Sequence, residues 1–114
     1  MKHLILLNDP PYGTERSFNG LRMAHALTKN NSDAEVTVFL IADCAKAGQK
    51  TPDGYYNLER MLRRVLSAKG RVLMCGTCMD ARGLTEGDMM EGATRSTMDE
   101  LAQATLAADK VLVF

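Results

Sequence analysis

The sequence predicts an α/β fold: a three-layer α/β/α sandwich built on a mostly parallel sheet of about five strands. Two observations lead there. Four short apolar runs, at residues 4–7, 36–41, 71–74 and 110–114, are apolar on both faces instead of alternating, as strands covered on two sides are. Amphipathic helical stripes fill the gaps, so strand and helix alternate and parallel crossovers follow. With 114 residues the chain has the size of one domain, and 1–114 is read as a single unit with one core.

The first run stops at Asn8-Asp9-Pro10, too short for the apolar region of a secretory signal and without a small-residue cleavage site after it. It is read as strand one. Phe18, Leu21, Ala24 and Leu27 form the stripe of a first helix, with Thr14 as its expected N-cap. Leu58, Met61, Leu62, Val65 and Leu66 follow the i, i+3, i+4, i+7, i+8 pattern of a second, closed by Gly70. Residues 79–95, rich in Gly and acid, are expected to hold a short helical turn and a short fourth strand around Met89-Met90. That strand is expected at a sheet edge, facing a partner subunit. Met98, Leu101, Ala102 and Thr105 form a last helical stripe, with Thr97 and Glu100 spaced as a capping box. Such a flavodoxin/Rossmann-like order puts functional groups on the loops after the strands' C-terminal ends. Those loops are residues 8–14, 42–53 and 75–87.

Fourteen basic and fourteen acidic residues cancel, so no excess charge is there to hold nucleic acid or an anionic membrane. The apolar runs are far shorter than a membrane span. Three cysteines are too few for a disulfide framework, and odd in number, which fits a reducing, cytoplasmic setting. Neither GxGxxG nor GxxxxGK[ST] is present, so no nucleotide cofactor is expected. Ser17 and Ser96 have no neighbouring histidine in a hydrolase pattern.

The loop after strand three reads Cys75-Gly76-Thr77-Cys78-Met79-Asp80-Ala81-Arg82-Gly83. A thiol at a strand end, facing the backbone N–H groups of a starting helix, is where a thiolate is stabilised. Cys75 is therefore expected to have a lowered pKa, with Gly76 allowing the tight turn and Arg82 adding positive charge. The two-residue spacing lets Cys78 resolve a modification on Cys75 or close a disulfide with it. Buried cysteines acting as small hydrophobes are the plainer alternative. Zinc needs four ligands, and the chain adds only Cys44, His3 and His25, neither histidine well placed, so no metal is expected. If strand one lay between strands two and three, Cys44 would sit about 10 Å from Cys75, too far for a disulfide. Asp9 and Tyr12, on a loop stiffened by Pro10 and Pro11, are candidates to line the cysteine pocket.

These segments also carry a resemblance. The loop 8–15 (Asn-Asp-Pro-Pro-Tyr-Gly-Thr-Glu), the Tyr55-Tyr56-Asn57-Leu58 helix start, the 75–83 loop and the Ala108-Asp109-Lys110-Val111 ending resemble the YchN-like branch of the DsrE/DsrF-like family, in order, over nearly the whole chain. The resemblance implies a small α/β sandwich assembling as trimers or hexamers, with cysteine loops near subunit interfaces. It also implies sulfur chemistry, since the family's DsrE and TusD subunits relay sulfur as a cysteine persulfide. Their sulfur-bearing cysteine precedes an Arg-Gly pair at the spacing that joins Cys75 to Arg82-Gly83, so the carrier role maps onto Cys75. Cys78 is a departure from those carriers. Three functions stay open: a sulfur carrier with donor and acceptor partners, a CxxC thiol–disulfide protein, and a non-catalytic oligomeric binding module.

Overall fold

The computed structural model describes residues 1–50 and 57–114. Strands β1 (Lys2–Leu7), β2 (Glu35–Leu40), β3 (Arg71–Cys75), β4 (Ala93–Ser96) and β5 (Lys110–Val113) form one sheet in the order β4-β3-β2-β1-β5. Every neighbouring pair is parallel. Helices α1 (Arg16–Asn30), α2 (Leu58–Ser67), α3 (Gly76–Ala81) and α4 (Met98–Ala107) alternate with them. No helix among the described residues is long and apolar enough to cross a membrane.

Right-handed crossovers decide the layers. The chain steps from β1 to β2 to β3 in one direction, which puts α1 and α2 on one face. It returns from β4 to the far side of β1 through α4, which therefore lies on the other. Side-chain parity follows suit. Ile5, Leu7, Val38, Leu40, Val72 and Met74 pack with Leu21 of α1 and Leu58, Leu62 and Val65 of α2. Leu4, Phe39, Leu73 and Cys75 pack with Leu101 of α4.

Burial, more than capping, holds α2 in place. Asn57 Oδ1 accepts the Arg60 N–H at 2.9 Å, a cap contributing about 1 kcal/mol. Each buried leucine or valine contributes about 1.5–3 kcal/mol, and α2 buries three.

The structure corrects several expectations. Strand β2 adjoins β3 directly, so strand one does not separate them. The fourth strand is Ala93–Ser96, not Met89-Met90. An edge strand with one open side needs no apolar run, and its sequence, Ala-Thr-Arg-Ser, shows none. Met89 and Met90 are buried core residues, so they do not face a partner. The Met90 N–H donates to Gly48 O at 2.8 Å. Glu15 takes the N-cap position of α1 without a side-chain bond, while Thr14 Oγ1 accepts the Arg16 N–H at 3.4 Å and donates to Asp9 at 2.8 Å. Thr97 does cap α4, accepting the Glu100 N–H, while the Glu100 carboxylate pairs with Arg71 at 3.4 Å.

The second face is only half roofed. Of the expected α4 stripe, Leu101 is buried, whereas Ala102 and Thr105 are exposed and Met98 is 62% exposed. Strand β5 is an edge, with Val113 also 62% exposed, not a strand covered on both faces. The reason is width. One helix, about 10–12 Å across, cannot cover five strands spaced about 4.8 Å apart.

Candidate functional site

Strand β3 carries Cys75 to the C-terminal edge of the sheet, and α3 begins at the next residue. Cys75 is the N-cap of α3. Its Sγ accepts the Cys78 N–H at 3.3 Å, and the Thr77 N–H also points at it. The Cys78 sulfur lies 2.7 Å from Cys75 Sγ. Both thiols are free; Cys75 is buried and Cys78 half-buried.

The segment after β2 closes over this pair. It is a 3₁₀ stretch, Ala42–Gly48, whose first residue has φ +55°. An alanine in the left-handed region is uncommon and costs energy. Here the strained turn directs the Ala42 N–H onto Cys78 Sγ at 3.2 Å. The two sulfurs thus receive backbone N–H groups from two elements.

Charge is arranged around the pair, not on it. Arg82 pairs with Asp43 at 2.6 Å, and its Nη1 donates to Cys78 O at 3.0 Å. Arg95 of β4 forks onto Asp80 at 2.8 and 2.7 Å. Gly76 has a steric reason: a Cβ there would lie 2.8 Å from Arg95 Nε. The Cys75 thiol is pushed above its ordinary value, first by burial, then by contact with Cys78; the N–H groups of Cys78 and Thr77 oppose this. The expected lowering does not occur, because β3 buries the thiol before the helix N-terminus can stabilise its anion.

Cys44 belongs elsewhere. It is fully buried in the core beneath α1 and α2, whereas Cys75 packs on the opposite face of the sheet. Its sulfur lies 3.3 Å from Ser17 Oγ, and burial pushes its pKa up to about 11. Opposite faces, not strand spacing, separate it from Cys75. Asp9 is held by Thr14 and lies 3.7 Å from Arg16. No described hydrogen bond or ion pair joins Asp9 to either thiol of the pair. Tyr12 is 51% exposed and lines a shallow cleft with Pro11 and residues 13–15. Thr77 is exposed and offers the site its backbone. Among the described residues, no three His, Cys, Asp or Glu side chains gather as a metal set.

Sequence reading missed Ala42, Asp43 and Arg95. Ala42 and Asp43 carry no motif. Arg95 lies on a strand without an apolar signature, so nothing marked it as a neighbour of β3.

Comparison with known proteins agrees with this frame. The DsrE/DsrF-like family model matches residues 1–114. Protein YchN of Escherichia coli (strain K12) is 41% identical over 116 residues, covering 99% of this chain and 98% of its own. Its crystal structure superposes with a TM-score of 0.90. Sulfurtransferase TusD of Salmonella arizonae is 27% identical over 128 residues, covering both chains completely. A protein of unknown function from Methanobacterium thermoautotrophicum, MTH1491, shares the fold at a TM-score of 0.81 and 11% identity. The chain is a member of the DsrE/DsrF-like family.

Proposed function

We propose that this chain is a cytoplasmic sulfur carrier, in which Cys75 takes up sulfane sulfur as a persulfide and passes it to a partner protein. The observation that carries the reading is the Cys75 sulfur itself, at the end of β3, accepting the Cys78 N–H with a second thiol 2.7 Å away. Membership of the family, and the likeness to a sulfurtransferase, support it.

In loading, the Cys75 thiolate attacks the terminal sulfane sulfur of a donor. An S–S bond forms at Cys75 as the donor's own S–S bond breaks, and the electron pair leaves with the donor. Delivery is the same exchange, with an acceptor thiolate attacking the outer sulfur and Cys75 leaving as thiolate. Cys78 offers a competing exit. Its attack on Cys75 Sγ forms an intramolecular disulfide and expels the outer sulfur as hydrosulfide, which takes the thiol proton. An external dithiol must then return two electrons to the disulfide.

That last step also favours a second reading, a dithiol–disulfide protein. The sulfurs are only about 0.7 Å further apart than a disulfide bond, which is about 2.05 Å. Cyanide separates the readings, because it removes outer sulfur from a persulfide as thiocyanate. Polysulfide-treated protein should yield thiocyanate in proportion to protein, and Cys75→Ser should yield none. A disulfide with no thiocyanate would favour the second reading.

We further propose that the carrier works as a homo-oligomer. The exposed apolar side chains of Leu106, Val111 and Val113, along the half-roofed face and edge β5, support a second copy as the occupant.

A further inference from the structure

Ser96 is 2% exposed, and its Oγ has no hydrogen-bond partner among the described residues. A buried hydroxyl left unpaired is costly, and alanine would fill the same place without that cost. Its position is specific. Ser96 ends β4 as Cys75 ends β3, and the two are register partners across the parallel pair, so their side chains share one face of the sheet. The chain then leaves these two ends in opposite directions. Met79 of α3 packs into the core beneath α1 and α2, while Leu101 of α4 packs on the other face. Adjacent strands whose connections diverge in this way open a crevice at their C-terminal ends.

We infer that Ser96 is the seat of the outer sulfur of a Cys75 persulfide, its hydroxyl donating a hydrogen bond to that atom. The proposal rests on the persulfide reading above and adds a positioning residue to it. Neighbouring strands lie about 4.8 Å apart, and the bare Cys75 thiol makes no hydrogen bond to Ser96. A persulfide adds one atom about 2.05 Å beyond Sγ, which would extend the reach of Cys75 toward the hydroxyl on the same face of the sheet. The hydroxyl is thus idle in the unloaded protein and paired in the loaded one.

The test compares wild type, Ser96→Ala and Ser96→Thr after loading with inorganic polysulfide and removal of the excess. Persulfide is followed over time as cyanide-released thiocyanate. Ser96→Ala should lose persulfide roughly tenfold faster, as expected for one hydrogen bond to a charged atom, and Ser96→Thr should restore the lifetime. The near-ultraviolet absorption of the persulfide anion should titrate at higher pH in Ser96→Ala. Unloaded Ser96→Ala should melt no lower than wild type, because it gives up only an unpaired hydroxyl. Equal lifetimes in wild type and Ser96→Ala would overturn the Ser96 assignment and leave Cys75 as carrier. A lower melting temperature for the unloaded variant would also overturn it, by showing that the hydroxyl already has a partner. Absence of persulfide on wild type would overturn both.

Discussion

Arg82 is bound to Asp43, with Nη2 2.6 Å and Nε 2.7 Å from the same carboxylate oxygen. This pair, with the bond from Arg82 to Cys78 O, clamps the segment after β2 onto α3. Arg82 therefore holds the roof of the thiol pair and does not face the Cys75 sulfur. Arg82→Met is expected to speed alkylation of Cys78 severalfold as the clamp loosens. Sulfur loading on Cys75 should stay within about twofold, since Arg82 bonds to Asp43 and Cys78 O and not to the Cys75 sulfur. Loss of loading by a factor of ten or more, measured as thiocyanate yield, would put Arg82 at the sulfur after all.

The raised pKa of Cys75 sets its pH dependence. A thiol whose pKa lies above the ordinary value is almost wholly protonated at neutral pH. Its alkylation rate should climb about tenfold per pH unit up to pH 9 without levelling off. Iodoacetamide labelling of Cys78→Ser and Cys44→Ser, pH by pH, measures this. The same substitutions remove the competing thiols. A plateau below pH 8 would mean that the helix N-terminus outweighs burial.

Cys44 makes a prediction about stability instead. Its folded pKa of about 11 lies above the ordinary 9.0, so the folded state holds its proton more tightly than the unfolded state. The stabilisation is complete below pH 9 and is lost as pH rises from 9 towards 11, by about 2–3 kcal/mol. Urea unfolding at pH 7 and pH 10.5 should show this slope in wild type and a shallower one in Cys44→Ala.

Much of this was legible because burial writes itself into sequence. The two-sided apolar runs placed β1, β2 and β3, and the stripe through Leu58, Leu62 and Val65 placed α2. Cys75 was legible from its position after such a run. What failed to show is the edge strand β4, because an edge strand can form without an apolar run, even though the other edge, β5, keeps one. Strand β4 reads as a loop for that reason, and with it Arg95 and the relation of Ser96 to Cys75 were hidden. Met89-Met90 read as a strand because both are buried, yet they are buried as core plugs against Gly48. The expected helix start at Tyr55-Tyr56 falls outside the described residues; α2 is described from its Asn57 cap onward.

Gly70 illustrates how a residue can be correct for a different reason. It is expected to close α2, and Lys69 is the residue there that takes the left-handed conformation, with φ +65°. Gly70 is required because a Cβ there would lie 2.5 Å from Val36 O, a backbone atom that cannot easily move. Gly70→Ala should destabilise by about 1–3 kcal/mol, and Lys69→Gly should stabilise by up to about 1 kcal/mol. Thermal melts of the two variants check both signs.

Assembly is tested at the exposed apolar side chains. Val113→Asp with Leu106→Glu places charge on the half-roofed face without touching the buried cores. Light scattering over a dilution series should show an oligomer for wild type and a smaller species for the double variant. A wild type that scatters as a monomer throughout would remove the homo-oligomer proposal.

Whether Cys75 bears the sulfur is read out by intact-protein mass spectrometry under non-reducing conditions. After polysulfide treatment, wild type and Cys78→Ser should gain the mass of one sulfur atom, with the adduct longer-lived in Cys78→Ser because the resolving thiol is gone. Cys75→Ser should gain none. An adduct that persists in Cys75→Ser and vanishes in Cys78→Ser would make Cys78 the sulfur-bearing residue and reverse the two roles.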